Sequence, residues 1–128
     1  MSRRSVQSGA PWEAIAGYAR AVRVGDTIHV SGTTATGADG VLIGRGDPEA
    51  QARRCLEIIE EALQQLGASL QDVVRTRMYV TDIRRWEPIA RVHGEVFATI
   101  RPATAMVEVS GLIDPDMLVE IEATAIVS

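Results

Sequence analysis

Apolar residues recur along this chain with two periods, and the changes of period divide it into elements. Ala52, Cys55, Leu56, Ile59, Ala62, Leu63 and Leu66 form a stripe in which each has another member three or four positions away. Arg53, Arg54, Glu57, Glu60, Glu61, Gln64 and Gln65 lie between them. That stripe predicts an amphipathic helix over 48–66. Asp47 stands at its N-cap, Pro48 at its first position and Gly67 just past its end, each where its backbone preference favours it. A second stripe of Trp86, Ile89, Ala90, His93, Val96 and Phe97 predicts a helix over 84–98, which Gly94 weakens slightly.

Elsewhere the period is two. Val74, Thr76, Met78 and Val80 alternate with Arg75, Arg77 and Tyr79, predicting a strand over 73–81. Met117, Val119, Ile121, Ala123, Ala125 and Val127 alternate with Leu118, Glu120, Glu122, Thr124 and Ile126, predicting a strand over 117–127. A shorter strand over 103–109 precedes it, beyond Pro102. Tyr18, Val22, Ile28 and Val30 flank a turn at Val24-Gly25-Asp26 and predict a hairpin of strands 17–23 and 27–31. Residues 33–46 hold glycines at 37, 40, 44 and 46 without periodicity and are expected to be a loop. Residues 1–16 are expected to form a loosely held arm.

The predicted order is β-β-α-β-α-β-β, an α+β domain spanning 1–128. Two helices of about four turns cover only one face of such a sheet. The purely apolar side of the last strand should meet them. The opposite side mixes apolar and acidic residues, where a wetted face is usually more polar. That mixture predicts a second subunit lying over it and a symmetric oligomer.

Composition narrows the class. The chain is 128 residues long with 46% hydrophobic residues, enough for one domain with a real core. Aromatic residues are 4%, so Val, Ile, Leu and Ala must fill that core. A net charge of −4 opposes nucleic acid or an anionic membrane as the main partner. There is no apolar run of membrane-spanning length, and the two N-terminal arginines are not followed by a signal-like segment. The cytoplasm is the expected location. The single cysteine, Cys55, falls in the apolar helical stripe and reads as a buried structural thiol. Two histidines and one cysteine at no ligand-like spacing give no expected metal site.

Candidate chemistry follows from position. His93 interrupts an apolar stripe, either as a packed core residue or as an acid–base group near neutral pH. His29 alternates with Thr27 and Ser31 and reads as structural or surface. Ser31-Gly32 ends a strand with a glycine, where backbone can closely approach a ligand.

Several segments together resemble the Rid family of reactive intermediate deaminases, also called YjgF-like proteins. They are Gly17-Tyr18, Ile28-His29-Val30-Ser31-Gly32, Val80-Thr81-Asp82-Ile83, Arg101-Pro102-Ala103, Val107-Glu108-Val109 and the run Val119 to Val127. The resemblance covers about residues 15–127. It implies a chorismate-mutase-like fold and a homotrimer whose sheets form a central barrel, with sites in the clefts between subunits. It also implies hydrolysis of reactive enamines and imines without cofactor or metal. Glu120 matches the glutamate that positions water, and Tyr18 a tyrosine lining the cleft. Glu122, on the same face, reads as structural.

The chain departs from the family where an arginine normally holds the substrate carboxylate. Here Pro102-Ala103 is followed by Thr104. Threonine can hydrogen-bond a neutral ligand but cannot make a bidentate ionic grip. Arg101 lies three residues upstream, beyond a proline. Ala90 and His93 stand where the deaminases often carry asparagine and tyrosine. The expected set is therefore Glu120 and His93 as catalytic groups, with Tyr18, Ser31, Gly32 and Thr104 binding a small metabolite. The expected activity is a Rid-like hydrolase or deaminase, weak on ordinary 2-imino acids. The alternative is a protein that binds or senses a metabolite without turnover; an endoribonuclease or translation inhibitor is a further alternative.

Overall fold

The computed structural model describes residues 2–37 and 39–128. Met1 of the expected arm and Ala38 of the expected loop lie outside the described residues. The elements are β1 (Arg3–Val6), α1 (Pro11–Ala16), β2 (Ala21–Val24), β3 (Thr27–Thr33), α2 (Pro48–Gln65), β4 (Val73–Val80), α3 (Trp86–Val96), β5 (Ala103–Glu108) and β6 (Val119–Ile126). They form an α+β fold with one sheet, in the order β1-β2-β3-β6-β4-β5. Only the β4–β5 pair is parallel, and its crossover carries α3.

The helical stripe of α2 forms as the sequence dictates. Asp47 caps it by accepting the Ala50 N–H at 3.1 Å, and Ala52, Cys55, Leu56, Ile59, Ala62 and Leu63 are buried. They meet Ile28 and Val30 of β3 and Val119, Ile121, Ala123 and Ala125 of β6 in one core. Cys55 is fully buried, and desolvation holds its thiol well above the ordinary range. Gln51, also fully buried, spends its amide on three backbone groups. It donates to Gly44 O at 3.1 Å and Asp116 O at 3.0 Å, and accepts the Leu118 N–H at 2.8 Å. It thereby fastens two loops to the helix.

Four local expectations change. The N-terminal arm is ordered: β1 pairs antiparallel with β2, and α1 follows it. The hairpin strand begins at Ala21, which leaves Tyr18 in the turn after α1. In β4 the register slips between Val73 and Arg75. That bulge turns Val73 inward and leaves Val74 43% exposed. A short 3₁₀ turn at Ile83–Arg85 precedes α3. It puts Trp86 at the helix start, 51% exposed, and passes the inner face to Ile89, Val92 and Phe97.

Candidate functional site

The expected site residues fall into two separate groups, one at the β3 bulge and one at the β5 edge. The first surrounds a cavity of about 540 Å³ that includes Trp12, Tyr18, Arg20, Gly32, Thr33 and Glu120 in its wall. It lies where β3 bulges between Val30 and Thr33. Glu120 alternates with buried Val119 and Ile121, so its side chain leaves β6 away from the helix-facing core. Its carboxylate lies directly against Gly32: a Cβ there would stand 3.0 Å from Glu120 Cδ and closer still to an oxygen. The space expected for a ligand at Gly32 is thus taken by the candidate catalytic carboxylate. Burial pushes that carboxyl above its usual range, Arg20 opposes the shift and Glu122 adds to it. A carboxyl so poised exchanges protons with bound water more readily than an exposed glutamate does.

Arg20 is the member that sequence reasoning missed. It is 6% exposed and donates through Nη1 to Gly32 O and to Thr33 Oγ1, both at 2.9 Å. Its Nε faces Glu13 Oε2 at 3.6 Å, and its guanidinium lies 5.6 Å from the Tyr18 ring centroid. Glu13, 4% exposed, accepts both the N–H and the hydroxyl of Ser8. The N-terminal segment is thereby fastened along the cavity by a buried ion pair. Neither residue gives a pattern signal, since a charge seven positions from its partner follows no local spacing rule. Ser31 makes no wall of this cavity; its hydroxyl donates to Ala19 O at 2.7 Å and braces the segment carrying Tyr18 and Arg20.

The second group lies at the β5 edge, on the helix side. The parallel register sets Thr104 opposite Thr76. Thr76 Oγ1 donates to Thr104 Oγ1 at 2.7 Å and sits 2.8 Å from His93 Nε2. His93 is half-buried, packs its ring 4.6 Å from Phe97, and is held below the ordinary histidine range by desolvation. Arg101 does not join this group. It is exposed, adopts φ 54° after α3 and donates to Ala98 O at 3.4 Å. His29 is exposed, as expected for a surface residue. Glu122 accepts from Tyr79 Oη at 2.8 Å. Among the described residues no three His, Cys, Asp or Glu side chains converge as metal ligands would.

Within one chain, then, Tyr18, Gly32 and Glu120 are brought together, and His93 and Thr104 are brought together, but not the two sets.

A sheet of this order with its helices on one face, and a carboxylate-bearing cavity at its bulged strand, defines an α+β domain of YjgF type. The chain belongs to that family: residues 8–127 match the family model described as Endoribonuclease L-PSP. Its relatives include the Mycobacterium tuberculosis protein Rv2704, a member of the YjgF/YER057c/UK114 family. The two are 52% identical over 98% of this chain and 100% of that one, with a TM-score of 0.90. The Rid-family protein YyfA from Yersinia pestis is 32% identical over 98% and 100% of the two chains, with a TM-score of 0.86. The Streptomyces coelicolor protein SCO2049 is 41% identical over 95% of this chain and 90% of its own.

Proposed function

We propose that this protein is a small-molecule hydrolase or deaminase of the Rid type, acting on a reactive enamine or imine in clefts between the subunits of a homotrimer. The observation that carries the reading is Glu120, raised in pKa by burial and lodged against Gly32 in a cavity with Tyr18. Such a carboxyl takes a proton from water as the water attacks an imine carbon, and returns it to the departing nitrogen. The far side of the sheet supports the oligomer. Arg77, Tyr79, Val107, Glu122 and Ile126 lie on that side without a covering layer. The number three comes from the family resemblance. In the arrangement the family resemblance implies, the β5 edge that carries Thr104 in one subunit borders the Glu120 group of the next. The cytoplasm, where imines arise in amino-acid metabolism, is the compartment this reading assigns. No helix among the described residues is long and apolar enough to cross a membrane.

The ligand is a metabolite rather than RNA in this reading. A cavity of about 540 Å³ suits a small molecule, and a chain of net charge −4 gains little from a phosphate backbone. Thr104 in place of arginine means weak activity on 2-aminoacrylate and 2-iminopropionate, about a hundredfold or more below arginine-bearing relatives. Ammonia release from imines generated in situ tests this. Turnover of a carboxylate-free imine that disappears in Glu120→Gln supports the reading. Fast turnover of the 2-imino acids would overturn the role given to Thr104. Ligand binding without turnover would turn the protein into a sensor or carrier.

A further inference from the structure

We propose that His93 is a positioning residue that fixes the Thr104 hydroxyl as a hydrogen-bond donor, so that the cleft selects an uncharged acceptor, such as an ester or amide carbonyl, over a carboxylate. The inference rests on reading Thr104 as a wall of the intersubunit cleft.

The argument is a count of protons. A threonine hydroxyl has one proton to give. Thr76 gives its own to Thr104 Oγ1 at 2.7 Å. Its contact with His93 Nε2 at 2.8 Å must therefore run the other way, with the imidazole donating. His93 is thus the Nε2–H tautomer. Thr104 receives a bond from within, and its own proton has no acceptor among the described residues. The chain His93 to Thr76 to Thr104 so ends in an outward O–H on an exposed residue of the edge strand.

Each link is held in place. Thr76 is fully buried, so a hydroxyl without partners there would be costly. The parallel register of β4 and β5 holds the two threonines opposite one another. Phe97 packs against the imidazole at a tilt of 43° and limits the ring's freedom to turn away from the strand. The relay carries direction but no charge, because burial disfavours the imidazolium. An O–H donor satisfies a carbonyl well. It does not compensate the desolvation of a carboxylate, which needs a cation beside it.

Two measurements test the relay. In protein with 15N-labelled histidine near pH 7.5, His93 should show Nε2 protonated and Nδ1 free, with His93→Gln assigning the signals. Binding of methyl pyruvate and pyruvate then compares one ketone with a neutral and a charged end. The ester should bind about tenfold tighter. Thr76→Val and His93→Phe should weaken the ester about three- to tenfold and leave the acid unchanged. His93→Gln, whose amide donates from a similar place, should restore the ester. An Nδ1–H tautomer, or an ester preference that survives both Thr76→Val and His93→Phe, overturns the relay while trimer and Glu120 dependence stand. A monomer, or wild-type binding of neither compound, or Glu120→Gln binding both as wild type does, overturns the cleft reading and the relay together.

Discussion

At position 32 a single added carbon would contest the place of the Glu120 carboxylate. The obstructed atoms are the far end of a flexible side chain, so the backbone need not move. Gly32→Ala should leave stability within about 1 kcal/mol of wild type and yet lower turnover or ligand affinity tenfold or more. Thermal unfolding beside a binding titration separates the two effects; a large loss of stability would mean that Gly32 serves the fold instead. His93 offers a different readout. Its folded pKa lies below the unfolded value of about 6.5 because burial disfavours the charge. Its contribution to stability is therefore intact above about pH 6.5 and is lost as the pH falls towards and through the folded pKa, where the unfolded chain binds the proton first. Glu120 acts oppositely, since its raised pKa costs stability as pH rises through the carboxylate range. Urea unfolding at pH 7.5, 6.5 and 5.5 should show wild type losing stability relative to His93→Gln as the pH falls. Parallel curves would rule out a histidine that is neutral by burial.

Among the elements, α2 and β6 were legible and the N-terminal pieces were not, for physical reasons. A stripe of seven apolar residues behind Asp47-Pro48 has few other ways to be buried, and the strict alternation from Met117 to Val127 fixes both faces of β6. In β1 only Val6 is buried, and an edge strand with one inward residue carries no period. In α1 the one buried residue is Glu13, whose place is set by Arg20 across the turn rather than by hydropathy. Trp86 misled because a stripe gives spacing but not the phase at which a 3₁₀ turn becomes a helix. Glu120 and Tyr18 were singled out through family resemblance, Gly32 as a glycine at a strand end, and His93 through its odd place in a stripe. Arg20 and Thr76 required coordinates. Gln51 likewise looks like an ordinary polar helix residue, yet it closes three backbone hydrogen bonds. Gln51→Leu leaves those buried groups unpaired and should cost roughly 3 kcal/mol, measured by chemical denaturation. A loss under about 0.5 kcal/mol would show that water replaces the amide.

For the whole molecule, the decisive question is what covers the far side of the sheet. Val107 is 47% exposed there on β5, and Ile126 49% on β6. If copies of the chain meet on this face, Val107→Asp should dissociate the particle, because an unpaired carboxylate cannot be buried at its centre. Sedimentation equilibrium at micromolar concentration should give about three chains for wild type and one for the variant, with the variant's far-ultraviolet circular dichroism retained. A monomeric wild type would remove both the interface and the composite site.

The strand order has a consequence for how the chain is made. β6 lies between β3 and β4 and pairs with both, although it comes last in sequence among the described strands. Until residues 119–126 leave the ribosome, the two strands that will flank it have no common neighbour, and the stripe of α2 has only part of its floor. The centre of the sheet is therefore completed only once residues 119–126 have been made, by contacts between residues some ninety positions apart at β3 and β6. A nascent chain in that interval exposes two sticky strand edges. Unpaired edges of this kind favour aggregation and chaperone binding until β6 is in place.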